Sequence, residues 1–117
     1  MGNALPKLEE SKINTLREER RRDARYHLGL PVGVKLAGRP QPITVELLDL
    51  SARGGRFRCL EERVRVDETA SVVFVLEDQS RCVAEGQVVR SGPNGEFAVR
   101  LEGTNDAFVA FVNQLEE

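Results

Sequence analysis

Residues 70–101 read ASVVFVLEDQSRCVAEGQVVRSGPNGEFAVRL. Three apolar runs rich in β-branched residues alternate there with two polar breaks, Glu77-Asp78-Gln79-Ser80 and Ser91-Gly92-Pro93-Asn94-Gly95. Apolar residues at period two suit a pleated, half-buried strand, and clusters of Gly, Pro, Asn and Asp supply the backbone conformations that turns need. The stretch therefore predicts strands near 70–77, 81–91 and 96–102. The same pattern begins upstream at Leu30 and predicts strands near 31–37, 43–50 and 55–60, with breaks at GRPQP (residues 38–42) and at Asp67-Glu68. Six strands spaced about every ten to twelve residues argue for a mainly β fold, a small antiparallel barrel or sandwich. Closure into a barrel would also hide the strand edges.

The flanks differ from this centre. Residues 104–117, TNDAFVAFVNQLEE, place Phe108, Phe111, Val112 and Leu115 at i, i+3, i+4 and i+7, with Thr104 or Asn105 available as N-cap. An amphipathic helix with a single apolar stripe is suited to covering one open end of a barrel. Residues 5–22, LPKLEESKINTLREERRR, are rich in helix formers and predict a second helix, whose stripe of Leu5, Leu8, Ile13 and Leu16 is thin. That stripe is too narrow to bury against a full core, which leaves a solvated arm or a weak face for homo-oligomer formation. The expected organisation is a charged N-terminal arm over 1–25, helical or flexible, and a barrel with its C-terminal helix over 26–117.

A chain of 117 residues has the length of one domain. Its longest apolar runs fall far short of the roughly 18 residues of a membrane span, so no membrane insertion is expected. The opening residues MGNALPKLEE lack the apolar core of a secretory leader, and Pro6 stands where a myristoylation signal wants Ser or Thr. The expected localisation is cytoplasmic. Cys59 and Cys82 are accompanied by a single histidine, too few Cys and His ligands for a four-coordinate zinc site, and both read as small core residues; neither metal nor cofactor is expected.

Charge is unevenly spread. Residues 1–40 carry nine Lys or Arg against five Asp or Glu, whereas residues 41–117 carry eight against fourteen. The positive charge peaks at Arg20, Arg21 and Arg22, with Arg25 just beyond. Arg presents a planar fork that suits phosphates and guanine edges. For catalysis the chain offers one His, one Tyr and no nucleophile-elbow, Walker or zinc-protease arrangement, so an enzyme is not expected.

Two features remain. Arg21-Arg22-Asp23-Ala24-Arg25 is an R-x-x-x-R just before the first barrel strand, two arginines spaced to converge on a polyanion or to form an ordinary solvated charge run. Asp49-Leu50-Ser51-Ala52-Arg53-Gly54-Gly55 is a D-x-S-x-x-G leading from the second strand into the third. An Asp carboxylate can accept from the N1–H and N2–H₂ edge of guanine with a Ser hydroxyl beside it, and glycines can take positive φ or admit a flat ligand. By itself the same stretch is also a turn in which Asp and Ser bond their own backbone.

In this order and separation the two features resemble the PilZ family, bacterial receptor domains for cyclic di-GMP. The resemblance covers roughly residues 20–115. It includes the stretch 47–55, the G-x-V-V-R of 86–90, the E-F-A-V-R-L of 96–101 and a closing helix. It implies a six-stranded antiparallel PilZ-type barrel in which Arg21 and Arg25 bond phosphates and the Hoogsteen edge of guanine. Asp49 and Ser51 would hold the base from the barrel side, and Gly54 would keep the turn open. Arg20, Arg22 and Gly55 are secondary candidates. The implied function is that of a cyclic di-GMP receptor signalling to an unidentified protein partner, with an output in motility, pili or exopolysaccharide regulation. The sequence departs from the family at Arg56, where an apolar residue is common, and Arg56 and Arg58 alternate with Phe57 and Cys59 to give one basic strand face. That face, or the N-terminal helix, supports a second reading, a PilZ-like scaffold that binds no nucleotide. A third, an OB-like binder of single-stranded DNA or RNA, lacks the stacking aromatics that class expects.

Overall fold

A computed structural model describes residues 6–9, 29–51 and 53–116. Its strands are β1 (Lys7–Leu8), β2 (Leu30–Leu36), β3 (Ile43–Leu50), β4 (Gly54–Arg58), β5 (Thr69–Leu76), β6 (Arg81–Ser91) and β7 (Glu96–Thr104), followed by helix α1 (Asp106–Glu116). Strands β2 to β7 close a six-stranded antiparallel barrel in the order β2-β3-β4-β7-β6-β5, with β5 returning to pair with β2. This is the expected mainly β class, and the barrel is chosen over the sandwich. The 38–42 and 59–68 connections and the 3₁₀ turn Pro93–Gly95 gather at one end of the barrel. The β3–β4 and β5–β6 turns and the start of α1 gather at the other.

Period two explains which side chains line the interior. Along β5, Ala70, Val72 and Phe74 are buried; along β6, Cys82, Ala84 and Val88; along β7, Phe97 and Val99. Phe57 stacks on Phe97 with ring centroids 5.3 Å apart. Each large apolar side chain so enclosed stabilises the fold by about 1.5–3 kcal/mol. Both cysteines are free and buried as expected. Burial, with a smaller contribution from the Asp78 carboxylate, pushes the Cys82 thiol up to about 11, so it stays neutral at physiological pH.

Long strands approach closely where a side chain would not fit. A Cβ on Gly86 would stand 2.0 Å from the Arg100 carbonyl oxygen, at a register shift between β6 and β7. That contact accounts for the glycine of the 86–90 stretch.

Helix α1 closes the end that holds the β3–β4 turn. Phe108 and Phe111 meet Phe74 at 6.1 and 4.9 Å between ring centroids, and Val112 is buried beside them. The side chain of Leu115, the fourth expected contact, lies outside the described residues. Of the two candidate caps the helix uses Asn105, whose Oδ1 accepts from the Phe108 N–H at 2.9 Å. The same side chain accepts from Val83 N–H at 3.1 Å and donates to the Arg81 carbonyl at 2.7 Å, tying the helix start to β6.

One expectation is corrected. The helix predicted over 5–22 does not include Lys7 and Leu8, which form a strand parallel to the end of β5, paired to Val75 and Leu76. The reason is tertiary. The β2–β5 ladder stops at Gly33 and Val73, so the last residues of β5 have a free edge, and Val75 N–H donates to the Pro6 carbonyl there. Leu8, read as part of a solvated stripe, is 1% exposed and belongs to the core. Residues 10–22 of that predicted helix lie outside the described residues.

Candidate functional site

The D-x-S-x-x-G stretch forms the tight connection from β3 to β4. Ser51 N–H donates to the Gly54 carbonyl at 2.8 Å, and the Ser51 hydroxyl donates to the same oxygen at 3.2 Å. The hydroxyl also accepts from the backbone N–H groups of Arg53 and Gly54, each at 3.3 Å. Ser51 is thus first a turn builder, and a base that used its hydroxyl would compete with three long, weak bonds. The turn is fastened to the barrel by Leu101 N–H, which donates to the Arg53 carbonyl at 2.8 Å.

Gly54 is required by contact and not by dihedral. Among the described residues the glycines with positive φ are Gly29, Gly38 and Gly95, so neither Gly54 nor Gly55 adopts the positive φ considered for this turn. A Cβ on Gly54 would instead stand 2.8 Å from the Val99 carbonyl oxygen. Gly55 is buried, and a Cβ there would press on Phe57 and Leu50.

Asp49 is aimed by a β-bulge. Leu47 pairs with Phe57 and Asp49 with Arg56, so Leu48 is the extra residue on β3. Leu47, Leu48 and Leu50 are all buried while Asp49 is exposed. The bulge therefore leaves one carboxylate on the outer face, two residues before the turn begins at Ser51. Its partner in register, Arg56, is exposed on the same face, and Arg58 beyond it is half-buried. The Asp49 carboxylate makes no hydrogen bond or ion pair with another of the described residues. Sequence reading did not foresee the bulge, although its signal is visible in Leu47-Leu48-Asp49-Leu50, where apolar residues break period two.

The structure brings Asp49, Ser51, Gly54, Gly55 and Arg56 to one end of the β3–β4 pair. Arg20, Arg21, Arg22 and Arg25 lie outside the described residues. Two hollows, of about 770 and 410 Å³, lie around Cys59, Glu61 and Glu62 at the opposite end of the barrel. Among the described residues no group of three His, Cys, Asp or Glu stands together, and no helix is long and apolar enough to cross a membrane.

A closed six-stranded barrel, capped by a C-terminal helix and presenting an acceptor carboxylate beside a glycine-bearing turn, defines a small β-barrel domain with its candidate site on the outer face. The family model for the PilZ domain matches residues 19–115, nearly the whole chain, and the protein belongs to that family. No curated protein and no solved structure matches the chain.

Proposed function

We propose that this protein is a receptor for cyclic di-GMP that performs no chemistry on the nucleotide. Family membership makes this the leading reading. The observation that carries it to particular residues is the outward Asp49 beside the Ser51–Gly54 turn, whose carboxylate bonds no side chain among the described residues. Arg21 and Arg25 bond the phosphates and the Hoogsteen edge of guanine, while Asp49 accepts from N1–H and N2–H₂. Ser51 and Gly54 keep the turn low enough for the base to approach, and Arg20, Arg22 and Gly55 are secondary. The ligand draws the arginine-bearing segment against the barrel, which changes the surface shown to a protein partner in motility, pili or exopolysaccharide control.

Ligand at a hundred times its Kd adds about 2.7 kcal/mol to stability, about 10 °C or more in Tm for a domain of this size. Thermal melts should show that rise for the wild type and a much smaller one for Asp49→Asn, which keeps the shape of the side chain and removes the charge. An equal rise in both would show that the charge of Asp49 is not needed for binding. A PilZ-like scaffold working through the Arg56–Arg58 face would show no rise in either.

A further inference from the structure

The structure puts Arg56 directly opposite Asp49 in the β3–β4 pairing. Directly opposed residues of an antiparallel pair carry their side chains on the same face, with Cβ atoms about 4.5–5.5 Å apart. Both are exposed, whereas Leu50, Gly55 and Phe57 around them are buried. No ion pair joins Arg56 to any of the described residues. Across its other edge Arg56 faces Ala98, a small neutral residue, while Arg58 has a glutamate on each side in register, Glu46 and Glu96. Of the two arginines on this strand face, Arg56 is therefore the one without flanking acids other than Asp49.

We infer that Asp49 and Arg56 together form a reader of the guanine Watson–Crick edge, with Arg56 as a specificity-determining residue. The inference rests on the receptor reading above and extends it. That edge presents N2–H₂, N1–H and O6 in a row, two donors followed by an acceptor. A carboxylate satisfies the two donors, and the guanidinium standing next to it donates to O6. The carbonyl oxygen has two lone pairs, so Arg56 takes the one on the N1 side and leaves N7 and the other lone pair to an arginine approaching the Hoogsteen edge. Adenine presents the reverse pattern at these positions, an acceptor N1 and a donor N6, and meets like against like at both residues.

The test is equilibrium binding of the full chain to three cyclic dinucleotides: cyclic di-GMP, its hypoxanthine counterpart, which keeps N1–H and O6 but lacks the amino group, and its adenine counterpart. For Arg56→Met, affinity for the guanine and hypoxanthine ligands should fall by the same factor, about ten- to hundredfold for a lost charge-assisted hydrogen bond. The weaker adenine affinity should not fall, and Arg56→Lys should recover part of the loss. An unchanged Tm of the unliganded variants keeps the comparison clear of folding. A guanine affinity within twofold of wild type, or an equal loss for all three ligands, as a general attraction for phosphate would give, overturns the inference while leaving the receptor reading intact. Absence of binding by the wild type overturns both.

Discussion

Asp49 owes its outward aim to its neighbour. Leu48 takes the extra place in β3, and without that bulge the alternation would carry Asp49 toward the core together with Leu47. The local chemistry of the site is set by backbone proximity in the same way. Gly86 and Gly54 serve strands that pass within a methyl group of each other, the first so tightly that no side-chain rotation could relieve an added Cβ. Gly86→Ala is expected to force β6 and β7 apart and cost about 3 kcal/mol or more, in the upper range of overpacking. Urea denaturation would measure it, and a loss below 1 kcal/mol would mean that the β6–β7 ladder yields locally.

At the scale of elements, helix α1 and its cap join the sheet to the end of the barrel. Asn105→Ala removes the N-cap bond together with two bonds to β6, and should destabilise the protein by about 2 kcal/mol. A melt showing less than a quarter of that loss would assign the helix start to its phenylalanines alone. The six barrel strands and this helix were legible because each carries a long local period: two between turn residues in residues 70–101, and three to four in Phe108, Phe111 and Val112. Strand β1 was not. Two residues have no period, Lys7 and Leu8 sit among good helix formers, and their pairing depends on the free edge that β5 has beyond Val73. The glycines of the site turn were legible as a necessity but not in kind, since Gly54 is required by the Val99 carbonyl on β7, far along the chain, and Gly55 by the packing of Phe57 and Leu50. The bulge at Leu48 and the pairing of Asp49 with Arg56 depend on register, which a single sequence states only indirectly.

For the whole molecule, the fold separates two ends with different equipment. One end has the Asp49–Gly54 turn and α1; the other has the open hollows around Cys59 and the loop pinned by Arg39, which bonds Glu62, Glu68 and the Arg63 carbonyl. Charge follows a related division along the chain, basic over residues 1–40 and acidic over residues 41–117. A dianionic ligand held on an acidic barrel needs the basic segment to supply its counter-charges, so the receptor reading makes Arg21 and Arg25 as necessary as the turn itself. Isothermal titration of the full chain with cyclic di-GMP, with GTP as control and Arg21→Ala/Arg25→Ala as the comparison protein, tests this most directly. The account predicts saturable binding at micromolar concentration or tighter, selective over GTP and abolished in the double variant. No heat, together with no thermal stabilisation at high ligand concentration, would contradict it.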